Sequence, residues 1–458
     1  MKNELIDTLY GSIPFNSHIR RLLECPELLR LKEVRMSNIS FVNFPGFSDS
    51  SRYEHSIGTG YLALRLSEKW GLPQKDSYEL VIAALFHDVA TPAFGHVMES
   101  VYAKKFGFDH EEVTAWIILG KTSKFMKTPK EPIFAGEGPR LRHMLRTLPE
   151  KVDIDNIFHY VSGKGKLGRM IKGSVDLDNI DNVVRSALHI GLHVDKTLPT
   201  KLVESFDIDN NGSISFRYEN SYLIKEWLRV RRDLYTHLLL NAYDLNRECM
   251  LRYAIEQAVR FGILNEWHWR MTDVELINYL SRSSVIETEH KKESEEISRV
   301  INEVRLCRRF RELGLYWIDN SEFYKTFRDN LALHEAIENG LSTLFKARIV
   351  VYIVPDKTSR VIDDFMLTPL GPLMGHSRTA DIGHGPTSLL VCVYSQQPTL
   401  VKRDQDGRPI LAEDHSQQKY ATSEVREIVL TYLREWVGCP EHVNLFDPTL
   451  LTANIGEE

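Results

Sequence analysis

The spacing of apolar residues predicts helices along most of the first three quarters of the chain. Leucine and valine recur at helical intervals from about Ile19 to Val34, where a proline divides the segment into two short helices. The same pattern predicts helices over Ile57–Trp70 and Ser77–Asp88. The second of these is apolar enough for its C-terminal end to lie deep in a core. Helical patterns then dominate to about residue 345.

The pattern changes to strands and helix in the last quarter. Ala347–Pro355 and Ser388–Ser395 are β-branched and aromatic runs of strand length, and a helix follows near Ser423–Val437. We therefore expect a mainly α protein with a smaller C-terminal α+β lobe. The expected boundaries are a core over residues 1–260, a helical extension over 261–345 and the α+β lobe over 346–458.

Two short segments depart from the helical pattern before residue 345, the glycine- and lysine-rich loop Gly163–Gly168 and the segment Ser205–Tyr218. The residues from Asp207 onward imitate the opening of a calcium-binding EF-hand loop, but Tyr218 occupies the twelfth position, where that loop has a bidentate Glu. Alternating apolar residues flank Asn211-Gly212, which is a strong turn dipeptide. A β-hairpin is therefore the better interpretation.

Composition limits the possible partners and the compartment. The net charge of -6 gives no general attraction for nucleic acid, so a local basic site or a metal must draw any polyanionic substrate. The five cysteines are scattered without a C-x-x-C pair, which favours a reducing cytoplasm. The N-terminus lacks the apolar stretch of a signal peptide, and no run of about 18 apolar residues predicts a membrane span.

Four short islands carry the residue types that a buried metal needs. They are Arg52-Tyr53-Glu54-His55, His87-Asp88, His110-Glu111 and Asp176-Leu177-Asp178. Imidazole nitrogens and carboxylate oxygens together suit Mn, Fe, Mg or Zn. An adjacent His-Asp pair offers two different donors from one helical turn. The set predicts a divalent metal site and, with it, a metal-dependent phosphohydrolase.

The islands stand in the order found in one known family. Together with Pro92-x-Phe94-Gly95-His96-x-x-Glu99 and Val175-Asp176-x-Asp178-x-x-Asp181, they resemble the HD-domain deoxynucleoside triphosphate triphosphohydrolases, over about residues 20–260. The resemblance implies an HD-domain helical core, one divalent metal, a nucleotide substrate and a homo-oligomer. It also implies the metal ligands, which are His55, His87, Asp88 and Asp178.

The resemblance further implies roles for the residues around the metal. His96 would be a general acid/base or would position water, with Glu99 fixing its tautomer, and a core histidine is the alternative. His110 matches a second active-site histidine, although a surface histidine at a helix start explains it nearly as well. Arg52 would face a phosphate, and the alternative is a surface salt bridge. Asp176 is expected to hold a metal-bound histidine.

Several positions depart from the family pattern and leave the substrate open. Val89-Ala90-Thr91 follows His87-Asp88 where the family has Gly and then His or Asn, and Asn179, Asn182 and Ser186 replace Lys, Tyr and an acid. Those family residues contact the triphosphate or the sugar. Asn182 and Tyr235 are the candidate substrate contacts here.

Three functions from different classes remain in view. The first is hydrolysis of deoxynucleoside triphosphates to deoxynucleoside and triphosphate. The second is hydrolysis of another nucleotide or phosphate ester, as a nucleotidase or phosphodiesterase. The third is a non-catalytic nucleotide-sensing scaffold. The glycine-rich segment from Gly371 to Pro386 lacks the Lys-Ser/Thr of a P-loop and is expected to be a mobile loop.

Overall fold

A computed structural model gives the fold. It describes residues 4–36, 44–120, 140–148, 151–209, 214–239, 241–286, 289–327, 330–358, 367–368, 388–396, 399–403, 405, 409–413 and 423–446. The turn Asn211-Gly212 and the glycine-rich segment after Gly371 lie outside these residues.

Helices dominate the described residues, so the expectation of a mainly α protein is confirmed. The α-helices are α1 Ser17–Leu22, α2 Pro26–Leu29, α3 Arg52–Lys69, α4 Gln74–Phe86, α5 His96–Phe106, α6 His110–Leu119, α7 Leu141–Arg146, α8 Ile154–Val161, α9 Leu177–His189, α10 Leu198–Glu204, α11 Ser221–Leu239, α12 Ala242–Arg260, α13 Asp273–Ser281, α14 Ser283–Ile286, α15 Lys291–Arg305, α16 Ser321–Phe327, α17 Leu331–Phe345 and α18 Ser423–Val437. Short 3-10 helices cover Arg30–Glu33, Pro45–Asp49, Gly168–Met170, Tyr218–Asn220, Glu266–Arg270 and Pro440–His442.

The strands are short and form small sheets. They are β1 Leu5–Asp7, β2 Gly11–Ile13, β3 Phe206–Ile208, β4 Ile214–Arg217, β5 Arg311–Asp319, β6 Ile349–Pro355, β7 Leu367–Thr368, β8 Ser388–Ser395, β9 Thr399–Arg403, β10 Pro409–Glu413 and β11 Val443–Leu445. β3 and β4 pair antiparallel with Phe206 opposite Phe216, as the predicted hairpin requires. The alternative of an EF-hand loop is therefore wrong.

The chain divides into two compact units, each made of several segments. The first contains residues 1–234, 258–290 and 360–384, and the second contains residues 235–257, 291–359 and 385–458. The three-part division along the sequence stays a prediction. No helix among the described residues is both long enough and apolar enough to cross a membrane.

Helices α3, α4 and α9 pack together in the core of the first unit. The side chain of Ser51 caps α3 by accepting the amide of Glu54, and α4 is apolar over nearly its whole length. A Cβ at Gly60 would lie 2.5 Å from Leu85 Cδ2, so the glycine permits the close approach of α3 to α4. This packing brings the start of α3 beside the end of α4.

The second unit is built on an antiparallel four-stranded sheet of order β11-β5-β8-β6. One face of the sheet packs against α16, α17 and α18 through buried side chains such as Tyr316, Val391 and Leu341. β5 corrects the sequence analysis, because residues 311–319 lie where a helical pattern was expected. The run Leu313-Gly-Leu-Tyr-Trp-Ile318 becomes a strand because it pairs with β8, a partner distant in the sequence.

Candidate metal centre

Three helix ends carry the four predicted metal ligands. His55 lies in the first turns of α3, His87 and Asp88 directly follow the last residue of α4, and Asp178 lies in the first turn of α9. The sequence analysis placed His55 before its helix, but the cap at Ser51 starts the helix earlier. His55 is therefore held by regular backbone and is fully buried.

The four side chains converge on one point. The donor atoms of His55, His87 and Asp88 all lie within 4.8 Å of one another. The Nε2 atoms of His55 and His87 are 3.2 Å apart. Asp178 Oδ1 lies 3.0 Å from His55 Nε2 and 3.6 Å from His87 Nε2. The predicted ligands, which come from three separate helices, are thus brought together.

Each imidazole is oriented through its other ring nitrogen. His55 Nδ1 lies 2.8 Å from Asp181 Oδ1, and His87 Nδ1 lies 2.8 Å from the carbonyl oxygen of Ala84. If both Nδ1 atoms donate, both Nε2 lone pairs face the carboxylates of Asp88 and Asp178. A hydrogen bond of this kind fixes the tautomer and the ring plane of a metal-binding histidine.

The arrangement fits a divalent metal ion. Two imidazoles and two carboxylates are donors that Mn, Fe, Zn and Mg accept in differing degrees. Two ligands about 2.1 Å from one ion can lie about 3 Å apart, close to the separation between the two Nε2 atoms. A bound ion would supply Lewis-acid polarisation of a phosphate oxygen and a more acidic water.

A buried ion network holds His55 from behind. Asp181 accepts two hydrogen bonds from Arg185, at 2.8 and 2.9 Å, and one from the hydroxyl of Tyr10 at 2.7 Å. Arg185 also pairs with Asp7 at 3.0 Å and with Glu54 at 2.9 Å, and its side chain is fully buried. Burial alone would raise the pKa of Asp181, but Arg185 and His55 lower it to about 2. The residue that orients His55 is therefore a permanent carboxylate.

This network corrects the role expected for Asp176. Asp176 caps α9 by accepting the amide of Asn179 at 2.7 Å, and it also accepts the amide of Gly173 at 2.8 Å. The carboxylate that contacts His55 belongs to Asp181 instead. The spacing of Asp178, Asp181 and Arg185 along one helical face was visible in the sequence. Their partner Asp7, 178 residues before Arg185, was not.

Gly58 leaves room for the network. A Cβ at this position would lie 2.1 Å from Asp181 Oδ2 and 2.2 Å from Arg185 Nη2. No side chain fits there without displacing the buried pair. The glycine in the motif His55-x-x-Gly58 thus has a physical reason, which is space for the carboxylate behind the metal ligand.

Charges surround the metal ligands closely. Burial would raise the pKa of Asp88, but the guanidinium of Arg52 and the imidazole of His87 hold it well below its ordinary value. Burial would lower the pKa of His55, but Asp178 and Asp181 outweigh it and raise the pKa. The carboxylates are therefore ionised, as metal ligands must be.

Arg52 contacts a predicted ligand. Its Nη1 donates to Asp88 Oδ2 at 2.5 Å, and both side chains are largely buried. This is a buried ion pair rather than the surface salt bridge considered as the alternative. Its contact with a phosphate stays a prediction.

The backbone that follows Asp88 is fixed by residues distant in the sequence. Arg30 donates to the carbonyl of Thr91 and, through Nη1, to that of Met271 at 3.2 Å. The indole of Trp269 donates to the carbonyl of Ala90 at 2.8 Å. These contacts hold the segment that replaces the Gly-His or Gly-Asn of the resembled family.

Asp273 secures the next turn. Phe94 has a φ of 54°, which is rare for a residue with a side chain, and it is followed by Gly95 at 48°. The amide of Phe94 donates to Asp273 Oδ1 at 2.8 Å, and the amide of Arg35 donates to Oδ2 at 3.1 Å. Burial raises the pKa of Asp273 to about 6 despite these two donors. The turn places His96 at the start of α5.

Glu99 contacts two histidines. His96 Nδ1 lies 3.0 Å from Glu99 Oε2, and His110 Nδ1 contacts Glu99 Oε1. The sequence analysis expected only the first contact. Burial would raise the pKa of Glu99, but the two histidines hold it well below its usual range. Burial would lower the pKa of His110, and Glu99 outweighs this and raises it.

The two histidines differ in position. The side chain of His96 is 72% exposed, and that of His110 is 35% exposed. His110 lines a cleft beside the metal ligands, with an empty volume of about 520 Å³. The described residues lining it are His87, Asp88, His110, Glu111, Thr114, Phe158, Val161, Ser162, Ile171, Lys172 and Asp178. Glu111 belongs to the predicted island His110-Glu111 but was given no role of its own, and the sequence pattern did not mark Lys172 as a cleft residue.

Two of the predicted substrate contacts, Asn182 and Tyr235, are not among the described residues that line the cleft. Asn182 is one turn beyond Asp178 on α9, and its Oδ1 accepts a hydrogen bond from the hydroxyl of Ser186 at 3.1 Å. Tyr235 lies on α11 and begins the second unit. Both roles stay predictions.

Comparison with known proteins agrees with this site. The family model for the HD domain matches residues 52–155, which include three of the four ligands. The geometry of the predicted ligands and this match agree on an HD domain over these residues.

Three similar proteins indicate which HD-domain proteins this chain resembles. The chain is 30% identical over 272 residues to deoxynucleoside triphosphate triphosphohydrolase SAMHD1 of Homo sapiens, covering 52% of this chain and 42% of that protein. It is 22% identical over 369 residues to the uncharacterized protein YwfO of Bacillus subtilis, covering 75% of this chain and 76% of that protein. It is 21% identical over 284 residues to an uncharacterized protein of Methanocaldococcus jannaschii, covering 60% of this chain and 54% of that protein.

The HD-domain match and the similarity to SAMHD1 support an HD-domain dNTPase-like family, as the motifs indicated. It spans about half the length of the archaeal protein and less than half of the human one. Together, the domain and the relatives support a metal-dependent phosphohydrolase.

Proposed function

We propose that this protein hydrolyses deoxynucleoside triphosphates to deoxynucleoside and triphosphate, with a divalent metal held by His55, His87, Asp88 and Asp178. The observation that carries the proposal is the convergence of these four donors beside a cleft lined by His110, whose imidazole contacts Glu99. The similarity to SAMHD1 supports deoxynucleoside triphosphates as the substrate class.

The surrounding residues have distinct tasks in this proposal. His110 and His96 exchange protons with the attacking water or the leaving oxygen, and Glu99 holds both rings. Arg52 keeps Asp88 ionised, and its guanidinium, permanently charged, is available to a phosphate oxygen. Asn182 and Tyr235 remain proposed substrate contacts, and homo-oligomer formation remains a prediction.

Product identification tests the proposal most directly. The purified protein is analysed for bound metal and then incubated with Mn and a panel of deoxynucleoside triphosphates. Release of inorganic triphosphate and a deoxynucleoside is the expected result. Release of orthophosphate or a nucleoside monophosphate would show that the nucleoside 5′-oxygen is not the leaving group, and it would favour the second candidate.

That second candidate is hydrolysis of another nucleotide or phosphate ester. Asn182 and Ser186 hydrogen bond to each other at positions where the resembled family contacts its substrate, and Thr91 differs as well. A panel that includes nucleoside monophosphates and short oligonucleotides distinguishes the two reactions. The third candidate is a nucleotide sensor without catalysis. If it is right, any hydrolysis measured is independent of this site, and Asp88→Ala does not lower it.

A further inference from the structure

Among the described residues at the metal end of the cleft, the acidic side chains supply negative charge and the guanidinium of Arg52 already has a carboxylate partner. Asp88 and Asp178 are both acidic ligands there, and the Nη1 of Arg52 donates to Asp88. Asn179, next to Asp178, donates its side-chain amide to Asp176 at 2.8 Å. A phosphate chain carries several negative charges, so its binding requires a further cation in the cleft.

Lys172 is such a cation. Among the described residues that line the cleft, it is the one whose side chain carries a positive charge independent of histidine protonation. It lies four residues before Asp176, on the segment that leads into α9 and the ligand Asp178. Its side chain is 57% exposed, so its ammonium has access to solvent at the cleft.

The backbone of Lys172 has a defined position. Its amide donates to the carbonyl of Gly168 at 2.9 Å, and the amide of Gly173 donates to Asp176 Oδ2 at 2.8 Å. A Cβ at Gly168 would lie 2.6 Å from the carbonyl carbon of Gly163, so two parts of this loop are in close contact. The loop therefore fixes where the lysine stem starts, while the stem itself stays adaptable.

The partner of Lys172 is exchangeable. Its ammonium pairs with Glu111, whose side chain is 46% exposed and which follows His110 in the sequence. An exposed pair of this kind contributes little to stability. A phosphate oxygen with more negative charge can replace the carboxylate at little cost. Glu111 is then the ion-pair partner of Lys172 when no phosphate is bound.

We propose that Lys172 binds a phosphate of the substrate beyond the one held at the metal, so that the cleft selects polyphosphorylated nucleotides over phosphomonoesters. The proposal rests on the proposed function for the position of the first phosphate. It assigns Lys172 to binding of the phosphate chain and leaves the proton transfers to other residues.

Binding of inorganic tripolyphosphate to the Mn-loaded full chain tests the subsite without requiring turnover. Calorimetry compares tripolyphosphate with orthophosphate for the unaltered protein, Lys172→Gln and Lys172→Arg. We expect Lys172→Gln to weaken tripolyphosphate binding about tenfold, to change orthophosphate binding little, and Lys172→Arg to restore most of the loss. Lys166→Gln is the matched control, because Lys166 is exposed on the same loop and is not among the described lining residues.

A second variant checks the role of Glu111. Glu111→Gln removes this ion-pair partner, so tripolyphosphate binding should strengthen a few-fold, and this gain should vanish in the double variant with Lys172→Gln. Equal weakening of both ligands, or tripolyphosphate binding unchanged by Lys172→Gln, would overturn the proposal.

Kinetics separate this inference from the proposed function. With a deoxynucleoside triphosphate, Lys172→Gln should raise KM about tenfold and leave kcat nearly unchanged. With bis(p-nitrophenyl) phosphate, which has no outer phosphates, both constants should stay near their original values. If the unaltered protein hydrolyses neither compound, the proposed function fails while the tripolyphosphate result still decides the subsite.

Discussion

The two sides of the predicted metal ligands both contain ion pairs, but they differ in how far these pairs are buried. Behind His55 lies the buried side, formed by Asp7, Glu54, Asp181 and Arg185, where the carboxylates share one fully buried guanidinium. In front lies the cleft side, formed by His110, Glu111 and Lys172, which are partly exposed. The buried side holds the geometry of the predicted ligands, and the cleft side contains the residues that we propose to act on the substrate.

Removing a ligand between the two sides should have the largest effect. We expect Asp88→Ala to lose the bound metal and at least about a thousandfold of activity, because a missing ligand removes several kcal/mol of transition-state stabilisation. Metal analysis and product assays measure both, with circular dichroism as the check on folding. Asp88→Asn is the matched variant, since it keeps the shape and loses the charge. Metal-dependent activity that survives in both variants would refute the ligand assignment.

Gly58→Ala should disturb the buried side. The added methyl group would displace Asp181 or Arg185, and breaking a buried ion pair costs about 3–5 kcal/mol. Chemical denaturation measures the loss, with Glu68→Ala as the control because Glu68 is exposed on the same helix. If the structure is right, metal affinity falls together with stability. Unchanged stability would mean that the buried pair is arranged differently.

The pH dependence of stability should show the titration of Asp273, which is also buried. Its folded pKa of about 6 lies above the ordinary value of 3.8, so folding favours the protonated form. Its contribution is therefore complete below about pH 4 and is lost as the pH rises through 6, by up to about 3 kcal/mol. The difference in unfolding free energy between the unaltered protein and Asp273→Asn, measured from pH 4 to 8, isolates this term. A difference that stays constant over this range would contradict the raised pKa.

Glu99→Gln should have the smallest effect, and it should act on rate. The amide removes the charge that raises the pKa of His110, so the corresponding limb of the pH-rate profile should move to lower pH. Activity near neutral pH should fall about tenfold while stability changes little. The pH-rate profiles of His110→Gln and His96→Gln then show which histidine causes this limb of the profile. A profile that does not move in Glu99→Gln would separate Glu99 from the proton transfer.

Part of this site could be predicted from the sequence for a clear reason. His87 and Asp88 are adjacent and Asp178 opens a strongly amphipathic helix, so local pattern and motif order were enough to group them with His55. The expected C-terminal strand Ser388–Ser395 is also found with the same bounds. Each of these features depends on residues that are close together or belong to a recognisable motif.

The rest depended on contacts between distant segments. Asp7 meets Arg185 across 178 positions, and Asp273 meets Phe94 across 179, and no local pattern marks either pair. Strand β5 was missed because its apolar run is short and its partner β8 begins about 70 residues later. Glu99 was assigned to His96 alone because a spacing of three is visible in a helix, whereas a spacing of eleven to His110 is not.

The contact between Asp7 and Arg185 also bears on how the molecule is made. During synthesis, Asp7 leaves the ribosome long before Arg185 exists, so the N-terminal hairpin must wait for α9. Closing so long a loop is a slow kind of folding event. Because Asp178 and Asp181 lie on that same helix, the ligand set and its supporting network become complete at the same late moment. A nascent chain shorter than this cannot bring the four predicted ligands together.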